Sequence, residues 1–449
     1  MFTVIRQASV LLLVLFLHPS SHVQAGEPAG TALTADRSVI EYDREMRMLA
    51  GREKVRRALA QIDREDPAST AQLIELTQIP APPFAEEARA RRFAELARAL
   101  QVGVVETDEA GNVYVRRPGR GPDRIPGEEG YTIAMAAHLD TVFPAGTDVT
   151  VRREGQRLLA PGIADNARGL VLLLLLMSAI EVADLHTAAD LLFVATVGEE
   201  GLGDLRGVKH LLRDGGPRID EFIAIDGGSD ERVLNQAIGS LRYRLTFRGP
   251  GGHSWGAFGL GNPAHALASA IHHFDLAAAD FVRSAPRTTY NVGRIGGGTS
   301  VNAVPFENWA EIDMRSESPA ALLTIDELLH AAVATALDDH NAQRDRGDRL
   351  TVEIRRIGDR PSGIVDPRTP LIQRAMAAAR FFGIEPLLSS GSTDANVPIA
   401  RGIPATTISR GGKSGGAHAL DEWWSPEDSA RGVKKALLLL LASAGVTDG

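Results

Sequence analysis

Glu199 and Glu200 stand side by side where an apolar, β-rich run, Leu191-Leu192-Phe193-Val194-Ala195-Thr196-Val197, gives way to Gly198 and Gly201. The run is too continuous for a half-exposed strand and predicts a central strand covered on both faces. Carboxylates at the exit of such a strand sit where α/β sheets place ligand chemistry. Consecutive Cα atoms lie about 3.8 Å apart, so one carboxylate can hold a metal while its neighbour reaches the metal's water. In isolation the pair reads as a solvated loop with two acids; what changes that reading is the supply of partners elsewhere. His138-Leu139-Asp140 closes another predicted strand and puts His138 and Asp140 on one face. A carboxylate there can hold the imidazole's other nitrogen and fix its tautomer. Asp165, in Pro161-Gly162-Ile163-Ala164-Asp165-Asn166, precedes a predicted helix, as an ordinary N-cap would. Asp226 follows the strand Phe222-Ile223-Ala224-Ile225, and His418 lies in the small-residue loop Gly415-Gly416-Ala417-His418-Ala419.

The elements that must position these residues alternate. Helices are predicted over 41–62, 70–79 and 86–100, then strands over 102–107, 112–117 and 131–137, the last after a Pro/Gly-rich loop from Pro118 to Gly130. Helix 166–181, strand 189–197, helix 205–213 and strand 221–225 continue an α/β pattern. Near Ser240 it changes: strand 241–248, helix 263–279, strands 288–295 and 309–315, helix 320–341 and strand 350–357 follow the order of a ferredoxin-like unit. Helices from Pro370 and from Pro426 return to α/β character. The expected fold is an α/β mixed sheet flanked by helices, with an inserted ferredoxin-like α+β domain. The expected divisions are a signal peptide over 1–25, a helical extension over 26–65, a catalytic domain over 66–239 and 357–449, and the insert over 240–356.

A formal charge of -9 over 449 residues, with a pI near 5.8, argues against nucleic acid or an anionic membrane as partner. Cysteine is absent, so any metal site must use His, Asp and Glu. Arg6, an apolar core from Ala8 to Leu17 and the small-residue site Val23-Gln24-Ala25 predict export, to the periplasm if the source is a Gram-negative bacterium. That core is short for a membrane span, although an uncleaved anchor is the alternative.

The ordered runs His138-Leu139-Asp140-Thr141-Val142-Phe143-Pro144, Pro161-Gly162-Ile163-Ala164-Asp165-Asn166, Glu199-Glu200-Gly201 and Gly416-Ala417-His418-Ala419 resemble the dinuclear zinc hydrolases. That family includes tripeptidase T, dipeptidase V, carboxypeptidase G, aminoacylase, acetylornithine deacetylase and succinyl-diaminopimelate desuccinylase. The resemblance implies that His138 and Asp226 hold one metal, Glu200 and His418 the other, and that Asp165 bridges them. It makes Glu199 the general base and Asp140 the residue that orients His138. Two imidazoles among oxygens favour zinc, or cobalt or manganese, over magnesium. The implied reaction is attack by a metal-bridging hydroxide on an amide carbonyl. In the insert, a lid that commonly dimerises in this family, His253 matches the histidine that reaches the oxyanion, often from the partner subunit. Asn302 and Arg315 match substrate-binding positions, with a turn and a surface ion pair as their ordinary alternatives. Gly391 and Ser392 belong to a run, Ser390-Gly391-Ser392-Thr393-Asp394, that resembles the family's glycine-rich substrate loop. The expected substrates are short peptides or N-acyl amino acids, and the expected assembly is a homodimer.

Asn166-Ala167-Arg168-Gly169 departs from the family's usual Asp-Lys-Gly-Gly or Asn-Lys-Gly, which puts specificity in question more than metal binding. Two rivals remain. Gly252-His253-Ser254-Trp255-Gly256 fits a serine nucleophile elbow, with Asp394 and His418 following in triad order. A catalytically dead peptide-binding module would lack ligands, and here none is missing.

Overall fold

A computed structural model describes residues 37–121 and 129–447. The predicted signal peptide and residues 122–128 of the predicted Pro118–Gly130 loop lie outside the described residues. Apolar continuity builds the central sheet. Strands Thr132–His138, Asp190–Thr196 and Glu221–Ile225 are buried along their whole length and lie side by side in parallel register. Ala405–Ile408 extends the parallel set beyond Glu221–Ile225, and Val113–Arg117 pairs antiparallel with Asp190–Thr196, with Val104–Thr107 outside it at the edge. Strands that point one way deliver their carboxyl ends to one side of the sheet. His138, Glu199, Glu200 and Asp226 are all at or just past those ends.

Helix Gly169–Val182 carries an unbroken leucine run and is buried on every side from Leu170 to Ile180. Its apolarity is that of a core helix. Helix Ser429–Ala444 packs beside it and against the sheet. The predicted 41–62 helix is two helices, Val39–Gly51 and Glu53–Glu65, because Arg52 between them adopts an extended backbone (φ -66, ψ 139). Both contribute to the main core through Tyr42, Met46, Val55, Ala58 and Ile62. Among the strands of the central sheet not read from the sequence are Arg232–Ala237, Gly363–Ile364, Leu387–Gly391 and Ala405–Ile408.

A second sheet has its own core. Its strands run antiparallel in the spatial order Thr288–Gly297, Glu307–Ser316, Gly239–Arg248, Thr351–Arg360. This is the strand order of a ferredoxin-like unit. Leu241, Tyr243, Leu245 and Phe247 alternate inward against Phe274 and Leu329 of helices Pro263–Phe281 and Pro319–Gln343. Asn262 and Ser318 cap those helices, each with proline in the first turn. The last strand runs on to Arg360, past the expected edge at 356, and that extra length matters for the site.

Candidate metal centre

The turn after Asp190–Thr196 is set by glycine: Gly198 has φ +62, and a Cβ on Gly203 would lie 2.6 Å from the Gly198 Cα. This close fold presents Glu199 and Glu200, both buried. Asp140 pins the turn, its two carboxylate oxygens accepting from the Glu199 and Glu200 backbone N–H groups at 3.0 and 2.8 Å. That commitment changes how Asp140 serves His138. The imidazole Nδ1 lies 3.0 Å from the Asp140 carbonyl oxygen and 3.7 Å from its carboxylate. Orientation therefore comes chiefly from the main chain, not from the carboxylate as the sequence suggested. A backbone carbonyl fixes the tautomer equally well.

Asp165 is no helix cap. It lies in a six-residue π-turn, Ile163–Arg168, with φ -109 and ψ 90, its peptide to Asn166 is cis, and the helix starts only at Gly169. Its carboxylate divides between two imidazoles. Oδ1 is 3.2 Å from His138 Nε2, and Oδ2 is 3.4 Å from His418 Nε2. His138 Nε2 is also 4.0 Å from Asp226 Oδ1, and His418 Nε2 is 3.1 Å from Glu200 Oε1. His418 holds this position at φ +67, a left-handed conformation that costs a non-glycine residue about 1 to 3 kcal/mol.

Burial, and then the charge of Asp165, pushes Asp226 well above the usual carboxylate range. Burial likewise raises Glu200. Asp165 goes the other way: against burial, Arg410 and the hydrogen bonds with His138 and His418 hold it well below that range. Hydrogen bonds to Asp165 and Glu200 push His418 up to about 10. Each shift reports the same deficit, buried carboxylates drawing on any available positive charge.

The donor set fits divalent ions. Ligand atoms of His138, Asp165 and Asp226 converge within 4.8 Å of one another, as do those of Asp165, Glu200 and His418, with Asp165 common to both groups. Imidazole and carboxylate donors without thiolate suit a divalent metal ion. The centre opens into a cleft of about 440 Å³ that Arg315, Gly391 and Ser392 also line. A cavity of about 420 Å³ beside Phe84, Arg98 and Val197 holds none of the predicted site residues.

The profile of Peptidase family M20/M25/M40 matches residues 134–442, which span every one of these donor residues. The chain belongs to that family. As a member it is a metal-dependent peptidase or amidohydrolase. Its curated relatives include the uncharacterized protein YqjE of Bacillus subtilis, 27% identical over 62% of this chain and 73% of that one. A succinyl-diaminopimelate desuccinylase of Alkalilimnicola ehrlichii is 26% identical over 55% of this chain and 67% of its own length. Aminopeptidase PepT of Bacillus cereus shares the fold, with a TM-score of 0.66 and 21% identity over 84% of this chain and 99% of that one. Human carnosine dipeptidase 1 does so with a TM-score of 0.64 and 12% identity, over 87% and 99%.

Within this M20 chain, His253 and Asn302 stand apart from the cleft. They lie on a small exposed ribbon, where Gly252 and His253 pair with Val304 and Ala303. The serine elbow does not form. Ser254 is exposed on that ribbon and the next helix begins only at Pro263. Asp394 is buried against Thr196 at 2.5 Å, and His418 is engaged by Asp165 and Glu200. Arg168, the departure from the family motif, is fully buried, with Nη2 2.8 Å from Asp66 Oδ1 and 2.7 Å from Ser429 Oγ. It clasps the core behind the centre and is not among the residues lining the cleft.

Three site residues escaped the sequence reading. Arg410 places Nη1 3.1 Å from Asp165 Oδ1 and 3.7 Å from Asp226 Oδ1. Arg360 pairs with Glu199 at 2.9 Å. Glu422 accepts from the N–H groups of Gly162, Ala164 and Asp165 at 3.1, 2.8 and 2.7 Å. Arg410 had a signal, since it follows the Ala405–Ile408 strand beside Asp226. Arg360 and Glu422 had none.

Proposed function

We propose that this chain is an exported, zinc-dependent exopeptidase that hydrolyses amide bonds of short peptides with two metal ions. The observation that carries this reading is the division of the Asp165 carboxylate between His138 and His418, with Asp226 completing one group and Glu200 the other. Ions held there would polarise the scissile carbonyl and acidify the attacking water. Glu199, adjacent to a ligand but held by Arg360, takes the proton from that water and returns it to the leaving amine as the C–N bond breaks. Arg315 binds a substrate carboxylate in bidentate fashion, the recognition its planar fork suits.

His253 and Asn302 complete the centre from a second copy of the chain through the lid. Their exposure outside the cleft supports this, as does the exposure of Trp255 (88%) and Val301 (103%) beside them. A second reading, N-acyl amino-acid deacylase or carboxypeptidase, is supported by the arginines of the cleft and by the desuccinylase relative.

Elemental analysis should find two ions per chain, and a chelator should abolish turnover. Glu199→Gln should keep the metal and lose about 10² to 10⁴ in rate. Near-normal turnover in that variant would remove Glu199 from the mechanism. His253→Ala chains mixed with Glu199→Gln chains should regain activity as heterodimers, and no regain in verified heterodimers would defeat the shared site. Fractionation of the source cell tests export.

A further inference from the structure

The cleft beside the carboxylates has an oppositely charged wall, formed by Arg232, Arg242, Arg315 and Arg360. Arg360 is matched by Glu199. Arg242 and Arg315 share one carboxylate, Asp313, at 2.8 and 2.7 Å. That leaves one positive charge in excess there. Arg232 differs from all three: its Nη2 donates to the Ser390 carbonyl at 2.8 Å, and it forms no ion pair among the described residues.

The backbone sets Arg232 at the cleft. It opens the Arg232–Ala237 strand opposite Leu387 of the parallel strand Leu387–Gly391, and its side chain reaches the Ser390 carbonyl of that strand. Its side chain lies over Gly228, where a Cβ would come within 3.0 Å of Arg232 Cδ and 3.3 Å of Nη1. Only Gly227 separates Gly228 from Asp226, so the guanidinium is laid towards the metal end of the cleft. The Ser390 bond uses one of five N–H donors, and the remaining fork suits a carboxylate. Beyond the metal-centre acids, no carboxylate lines this cleft among the described residues.

We infer that Arg232 is a second carboxylate anchor, and that the preferred substrates are small amides carrying two carboxylates. One is a main-chain carboxylate at Arg315. The other, at Arg232, belongs to an acidic side chain or a dicarboxylic acyl group. This rests on the amide-hydrolase reading above.

The test compares metal-loaded wild type with Arg232→Met and Arg232→Lys on matched pairs: Ala-Glu against Ala-Gln, Glu-Ala against Gln-Ala, and N-glutaryl-alanine against N-butyryl-alanine. At least one acidic member should be favoured by about 10- to 100-fold in kcat/KM, the scale of one charge-assisted contact. Arg232→Met should erase that preference through KM and leave the neutral member unchanged, with Arg232→Lys keeping part of it. The responding pair tells which side of the scissile bond carries the acid. No acidic preference in wild type, or one that survives in Arg232→Met, overturns the inference. Calorimetric titration of glutarate against butyrate gives a readout without turnover. Glutarate should bind wild type more tightly and lose that margin in Arg232→Met, and an unchanged margin overturns the anchor. If no amide is hydrolysed, the hydrolase reading fails while this titration still decides Arg232.

Discussion

Arg360 donates from Nη1 to Glu199 Oε1 at 2.9 Å and from Nη2 to the Glu199 carbonyl, with both side chains 5% exposed. The arginine ends a strand of the second sheet, and the glutamate leaves a strand of the central one. One buried pair therefore ties the smaller core to Glu199, the group proposed to transfer the proton. Arg360→Met should lower kcat by about 10²-fold, the lower end for losing positioned proton transfer. Metal content by elemental analysis should be unchanged, and Arg360→Lys should recover part of the rate. Full activity in the Met variant would show that Glu199 needs no such hold.

Glu422 shapes the loop that carries Asp165. Its carboxylate collects three backbone N–H groups that would otherwise be buried without partners. Each orphaned donor costs about 1 to 3 kcal/mol. Glu422→Ala should lower stability by about 3 kcal/mol in urea and weaken metal retention against a competing chelator. Unchanged retention would separate the loop from the metal centre.

Arg168 is a prediction about stability without specificity. Removing one partner of a buried ion pair costs about 3 to 5 kcal/mol. Arg168→Ala should show that loss in chemical denaturation, while the ratio of kcat/KM between any two substrates stays as in wild type. A changed ratio would return this position to the specificity role that its departure from the family motif suggested.

Asp394 gives a pH signature. Burial, and then the charge of Glu199, pushes its carboxyl up to about 7. In the metal-free chain between pH about 4 and 7, the unfolded state has lost this proton while the folded state keeps it. Stability should therefore fall as pH rises through that window, then level off above 7. Asp394→Asn should flatten the slope in thermal denaturation followed across pH, and an undiminished slope would assign it to other groups.

Much of the centre was legible locally. His138, Asp165, Glu199, Glu200 and Asp226 each sit at a strand exit or tight turn marked by apolar runs and glycine. Such exits converge in any parallel sheet, whatever the loops do. The alternation of strands and helices also changed near Ser240, where the first strand of the second sheet, Gly239–Arg248, lies. The sequence therefore marked these residues as candidates, and the family resemblance assigned them metal-binding roles; the fold brings their donor atoms together.

What folding alone settled is how the buried charges are balanced. Arg360 reaches Glu199 across 161 residues of sequence, and Glu422 reaches Ala164 across 258. Neither belongs to a periodic pattern, because a lone charge at the end of a strand or just before one has no local consequence. Its partner is chosen only when two sheets close on each other and burial makes an unpaired charge costly. The same holds for Asp140, whose carboxylate went to the Glu199 and Glu200 amides because those donors needed an acceptor once the turn was buried. Arg168 likewise turned away from the cleft to Asp66 and Ser429. Local pattern picked out candidate groups at strand exits and turns, and desolvation on folding chose the partners that hold them.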